Sequence, residues 1–62
     1  MTRKDYVLIA EALNLALAKA TEYKYDTAGI YFTIGALSQT LVQDNPRFDQ
    51  AKFLAAVEKD VA

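Results

Sequence analysis

Residues 27–43 read TAGIYFTIGALSQTLVQ, and the predicted fold is built around this segment. Its larger aliphatic residues recur at intervals of three and four, the spacing of one helix face: Ile30, Ile34, Leu37 and Leu41. The opposite side is also apolar or small rather than charged, with Phe32, Gly35, Ala36 and Val42. A helix with two apolar sides needs two packing partners. In so short a chain, we expect the second partner to be another copy of the chain.

The composition is that of a small folded domain without covalent or metal support. The chain has 62 residues, of which 53% are hydrophobic and 24% are charged. This length is near the lower limit for a self-sufficient core, and we expect one helical domain over residues 1–62. The absence of cysteine and histidine excludes disulfides and the commonest transition-metal ligands. Oligomerisation remains as the usual additional source of stability.

The charge balance and the hydropathy pattern narrow the function classes. The chain contains seven Lys and Arg residues and eight Asp and Glu residues, so its net charge is −1. This balance argues against a dedicated nucleic-acid binder. Asp5 and Glu11 interrupt the apolar residues of the N-terminal stretch, so we expect no signal peptide. The uncharged stretch 27–43 is short for a membrane span. The sequence therefore predicts a soluble cytoplasmic protein.

The first predicted helix runs from Arg3 to Ala20 or Thr21, with the Thr2 hydroxyl as its N-terminal cap and Asp5 as a negative charge in its first turn. The residues of its inner face follow helical spacing: Tyr6, Ile9, Leu13, Ala16, Leu17 and Ala20. Leu8 and Leu15 lie seven residues apart on the other side. They form either a second contact surface or a pair of isolated exposed leucines.

The segments around the central helix predict its connections. Residues 21–26, TEYKYD, lack helical spacing, so we expect a connection in which Asp26 or Thr27 caps the next helix and the tyrosines cover the end of the bundle. Gly35 favours the close approach of another backbone, or else makes room within the monomer. Pro46 ends the central helix.

A third helix is predicted from Gln50 to Asp60. Asp49 is expected to be its N-cap, and Phe48 and Phe53 have the spacing of a hydrophobic staple. The residues Pro46 to Phe48 are expected to add a short helical turn before it.

No pattern of reactive residues indicates catalysis or ligand binding. The acidic residues near the C-terminus do not have calcium-loop spacing: Asp44, Asp49, Glu58 and Asp60. Ser38 and Thr40 have no histidine to activate them. The sequence therefore predicts no catalytic, cofactor-binding or metal site, and no enzyme.

Two terminal segments carry a resemblance. TRKDYVLIAEAL (residues 2–13) and DNPRFDQAKFLAAV (residues 44–57) resemble segments at the matching ends of small proteins encoded by bacteriophages and prophages. Those proteins are mostly without an assigned function. The resemblance implies a viral origin and supplies no active site.

The predicted fold is all-α, a small three-helix bundle that dimerises, with the first two helices as the main hairpin. The predicted core is Ile9, Leu13, Leu17, Ile30, Ile34, Leu37, Leu41, Phe53 and Val57. The candidate self-association residues are Leu8, Leu15, Phe32, Gly35, Ala36 and Val42. The third helix folding over one of these surfaces, or a host protein covering them, is the rival interpretation. The preferred function is protein–protein interaction by a phage-derived accessory protein, and the alternative is a nucleic-acid-binding helix-turn-helix module.

Overall fold

The computed structural model describes residues 1–61, which form three helices: α1 (Arg3–Glu22), α2 (Ala28–Asp44) and α3 (Gln50–Val57). No strand is present in this part of the chain, so the predicted all-α, three-helix fold is confirmed. The helix boundaries agree with those predicted within one or two residues, except that α3 ends three residues early. Turn geometry follows Val57, and Asp60 adopts a left-handed φ of 60°.

The predicted Thr2 cap of α1 is confirmed, and Asp5 completes it as a reciprocal capping box. Thr2 Oγ1 accepts a hydrogen bond from the Asp5 amide at 3.4 Å, and the Asp5 carboxylate accepts one from the Thr2 amide at 2.9 Å. The bond from the Thr2 backbone amide is the main reason why the pKa of Asp5 lies below its ordinary value. The start of α1 is therefore capped by residues that are local in sequence.

The connection between α1 and α2 reverses the chain through a left-handed residue. Lys24 has a φ of 61°, and the next amide, of Tyr25, donates to the Ala20 carbonyl at 2.8 Å. The Asp26 carboxylate then accepts from the Ala28 amide at 2.9 Å, whereas Thr27 makes no side-chain cap bond. Of the two predicted cap residues, Asp26 supplies the bond.

The start of α3 is also confirmed. The Asp49 carboxylate accepts from the Lys52 amide at 3.0 Å, and the Phe48 and Phe53 ring centroids are 5.2 Å apart. Before it, the Phe48 amide donates to the Asn45 carbonyl at 2.9 Å and closes a turn, where a short helical turn was expected. The cap and the phenylalanine pair together fix the direction in which α3 leaves this turn.

All nine predicted core residues belong to one apolar cluster. Five are buried, and Ile9, Leu13, Ile30 and Leu37 are partly buried against them. Ala10 and Phe48 also belong to the buried cluster, although the prediction left them out. Ala16 was placed on the inner face of α1, but it is exposed.

The pairing of the helices differs from the prediction. The backbones of α1 and α3 pack against each other more extensively than those of α1 and α2. The prediction that α1 and α2 form the main hairpin is therefore wrong. Asn14 contributes to the observed pairing because its side-chain amide donates to the Val57 and Lys59 carbonyls at 2.8 and 2.7 Å. These bonds fasten the C-terminal end of α3 to the middle of α1.

Candidate interaction surfaces

Five of the six predicted self-association residues lie on the solvent side of their helices. On α1, Leu8 is 55% exposed and Leu15 is 59% exposed. On α2, Phe32 is 80% exposed, and Gly35 and Ala36 are exposed beside it. We call these five residues the outer apolar surface. It consists of two exposed groups, one on each helix.

Val42, the sixth residue, does not belong to this surface. Its side chain is only partly exposed and packs against the core cluster. Val42 follows Ser38 by four residues, so the two share a helix face, and Ser38 is buried. The prediction placed Val42 on the outer side, and this was wrong because the buried face of α2 is broad enough to include it.

Gly35 has no packing role within the chain. A Cβ atom added at this position would meet no neighbouring atom within 4 Å. The alternative that Gly35 makes room inside the monomer is therefore wrong. A glycine inside a helix costs about 1 kcal/mol relative to alanine, and nothing in the monomer offsets that cost.

The third helix does not cover the outer apolar surface. Both leucines and Phe32 keep more than half of their surface in solvent while α3 is packed on the bundle. Folding of α3 over one of these groups was a rival explanation for them, and it is wrong. Within residues 1–61, nothing covers these side chains.

The two tyrosines of the α1–α2 connection pack against each other and remain largely exposed to solvent. The ring centroids of Tyr23 and Tyr25 are 5.8 Å apart, and both side chains are more than half exposed. The Lys19 ammonium lies 5.9 Å from the Tyr23 ring centroid. The expectation that these rings cover the bundle end is therefore wrong.

The second surface feature is a groove, which was not predicted from the sequence. The first half of α1 forms one side of it, and α3 together with the α2–α3 connection forms the other. Its volume is about 520 Å³. The floor contains Tyr6, Phe48 and Phe53, whose rings form a chain with centroid separations of 4.8 and 5.2 Å. We call this feature the α1–α3 groove. No pattern in the sequence indicates this groove directly, because it depends on the packing of α3 against α1.

The polar side chains do not assemble into a reactive site in residues 1–61. In this range no three His, Cys, Asp or Glu side chains lie close enough together to hold a metal ion. The Ser38 hydroxyl is buried without a hydrogen-bond partner, and the Thr40 hydroxyl donates to the Ala36 carbonyl at 2.9 Å. No helix in the same range is long and apolar enough to cross a membrane.

Comparison with known proteins adds no assignment to these surfaces. No family model matches the chain, and neither the curated proteins nor the solved structures give a significant match to it. The resemblance of the two terminal segments to phage proteins stays a prediction. The outer apolar surface and the α1–α3 groove are the two features of this fold from which a function can be argued.

Proposed function

We propose that this chain is a protein–protein interaction module that forms a homodimer through its outer apolar surface. The observation that carries the proposal is the exposed side of α2. From Ala28 to Gln43 this helix contains no charged residue, and Phe32 on that side is 80% exposed. Soluble monomers seldom keep a large apolar surface without a use.

Burial of these side chains supplies a driving force for association. Full burial of a leucine or phenylalanine side chain is worth about 1.5–3 kcal/mol. Phe32 is almost fully available for such a gain, and Leu8 and Leu15 are each more than half available. Association also costs translational and rotational freedom, so several such side chains must contribute.

The arrangement on α2 is suited to a two-fold interface. Gly35 and Ala36 follow Phe32 by three and four residues, so the ring lies beside a depression made by two small residues. In a two-fold dimer the same surface meets itself, and each ring can enter the depression of the other copy. This gives the unexplained glycine at position 35 a role, because it allows the two backbones to approach.

The wider role that we propose is that of a phage accessory protein acting on a host protein in the cytoplasm. The support for this step is the resemblance of the two terminal segments to phage-encoded proteins. A small chain with no evident site for chemistry acts most simply by contact. The dimer would present two copies of any further binding surface.

The nucleic-acid-binding alternative has less support. A helix-turn-helix module reads DNA with its second helix, and α3 would take that part after α2 and the turn. However, α3 has eight residues with Lys52 as its only basic side chain. The chain as a whole carries a net charge of −1. Neither property favours binding to a phosphate backbone.

Sedimentation of the purified chain over the micromolar range tests the proposal. The 6.9 kDa chain is expected to sediment as a dimer. Phe32→Glu should yield a folded monomer, because burial of an unpaired charge is heavily penalised. Leu15→Glu tests separately whether α1 contributes to the interface. Ala55→Glu is the control, since Ala55 is exposed on α3, which carries no residue of the outer apolar surface.

Gly35→Ala gives a second and sharper readout. Its methyl group has open space in the monomer, so the free energy of unfolding of the monomer should rise by about 1 kcal/mol. The same methyl group should weaken the dimer if two backbones meet there. A wild-type chain that stays monomeric throughout the concentration range overturns the homodimer and favours a host protein as the occupant. A Phe32→Glu variant that stays dimeric places the interface elsewhere.

A further inference from the structure

The α1–α3 groove combines an apolar lining with a concentration of positive charge. Three of the seven basic residues of the chain line it: Arg3, Arg47 and Lys52. Asp49 is the acidic residue among those lining it, and its carboxylate is engaged with the Lys52 amide at the start of α3. The only salt bridge within residues 1–61 joins Lys19 and Glu22, so the three cations of the groove have no ion-pair partner.

The apolar lining includes surface that water still reaches. Val7 is nearly half exposed on one wall, and Ala56 is exposed on the other. Beneath them lie the side chains of Phe48 and Phe53, which are buried and reach the groove only with a small part of their surface. A ligand side chain placed between the walls would therefore exchange water for apolar contacts on two sides.

The groove is elongated rather than compact. A second depression of about 240 Å³ shares Val7, Ala10 and Ala56 with it and continues along α1 to Asn14. At about 1.5 Å per helical residue, the distance along α1 from Arg3 to Asn14 is about 16 Å. That length matches roughly five residues of extended chain. The shape favours a segment of polypeptide over a compact small molecule.

We propose that the α1–α3 groove binds a short acidic segment of a partner protein. Apolar side chains of the segment pack between Val7 and Ala56, and its carboxylates pair with Arg3, Arg47 and Lys52. Guanidinium groups suit this role because they can bind a carboxylate through two parallel hydrogen bonds. The groove shares no residue with the outer apolar surface, so this proposal does not rest on dimerisation.

A protein segment fits better than a nucleic acid. Single-stranded nucleic acid is held by aromatic faces on which bases stack, and the rings of this groove are buried or half-buried. The far end of the groove carries one acidic and one basic residue, Glu11 and Lys59, so the excess of positive charge is confined to the end with Arg3, Arg47 and Lys52. An acidic peptide needs only that local charge, whereas a phosphate backbone would continue past Glu11.

Selection from a library of random dodecapeptides displayed on phage tests the proposal. The wild-type chain should enrich peptides in which Asp or Glu flank large apolar side chains. Synthetic, fluorescently labelled copies of the enriched peptides then give affinities by anisotropy. Arg47→Glu and Lys52→Glu should each weaken binding by about tenfold or more, and added salt should weaken it further.

The variants are chosen so that folding is not at risk. A glutamate at position 52 occupies the third residue of α3, where glutamate is favoured beside an aspartate N-cap. Lys24→Glu makes the same change of charge in the α1–α2 connection and should leave the affinity unchanged. Far-UV circular dichroism confirms the helix content of each variant.

Several outcomes would overturn the proposal. These are the absence of any enriched peptide, enrichment of basic or uncharged peptides, and equal binding of the enriched peptides to the Arg47→Glu and Lys52→Glu variants. A mixed-sequence DNA duplex that binds the wild-type chain and displaces the peptides would assign the groove to nucleic acid instead. None of these results would alter the sedimentation test of the homodimer.

Discussion

Ser38 places a hydroxyl group in the core without a hydrogen-bond partner. The residue is 4% exposed, and its Oγ atom meets no acceptor or donor. The exposed residues Thr33 and Thr40 instead donate to the carbonyls four positions earlier, at 2.9 Å each. A buried hydroxyl that is left unpaired costs about 1–3 kcal/mol.

The substitution Ser38→Ala should therefore stabilise the protein. It removes the unpaired hydroxyl and replaces serine with a better helix former, so we expect the free energy of unfolding to rise by about 1–2 kcal/mol. Urea denaturation measures this change. Thr40→Ala is the control, because it removes an exposed hydroxyl and should shift stability by no more than about 0.5 kcal/mol. A loss of stability in Ser38→Ala would show that the hydroxyl has a partner in solution.

At the scale of the element, α3 depends on its surroundings more than α1 does. Eight residues are too few for a stable isolated helix, since those shorter than about 12 residues are marginal in water. Its start is held by Asp49 and by the contact of Phe48 with Phe53. Its end is held by the amide of Asn14, which belongs to α1.

Removal of the Asp49 cap should destabilise the whole protein, since α3 supplies two buried side chains to the core. Asp49→Ala is expected to lower the free energy of unfolding by about 0.5–2 kcal/mol. Asp49→Asn keeps a side-chain acceptor and should retain most of the stability. Thermal and urea denaturation of the three proteins provide the comparison. Equal stability of Asp49→Ala and the parent would mean that the phenylalanine pair alone fixes the start of α3.

For the whole molecule, two leucines of α1 show the contrast between the core and the surface. Leu17 is fully buried, and Leu15, two residues away, is 59% exposed. Leu17→Ala should cost about 2–5 kcal/mol, enough to unfold most of a domain this small. Leu15→Ala, measured at a concentration where the chain is monomeric, should cost less than about 1 kcal/mol. A Leu17→Ala variant that melts with the parent would contradict the assignment of the core.

Much of the fold could be predicted because the interactions behind it are local in sequence. The caps of α1 and α3 join residues that are three apart in sequence. Phe48 and Phe53, which are in contact at the start of α3, are five apart. Helical spacing likewise identified nine residues of the apolar cluster, although it missed Ala10 and Phe48 and wrongly placed Ala16 on the inner face. These features depend on side-chain type and spacing, and both can be read from one sequence.

The residues of the outer apolar surface were predictable for the same reason, whereas Val42 was assigned to that surface wrongly. Phe32, Leu8 and Leu15 fall opposite the apolar face of their own helices, and they are exposed. Val42 lies at the edge of the buried face of α2 and packs against the core cluster. Spacing along the chain assigned it to the outer side, because spacing does not show how the other helices pack around α2.

Local patterns in the sequence predict the number and type of the helices, their limits except for the end of α3, and most of the residues that point inward, because these follow from local geometry. The pairing of the helices depends on contacts that exist only in the folded chain, since Asn14 reaches the end of α3 across 43 residues of chain. The same long-range packing brings Arg3 to the groove beside Arg47 and Lys52 and leaves open space at Gly35. Contacts between residues far apart in sequence depend on how whole faces fit together, and spacing along the chain does not record that fit.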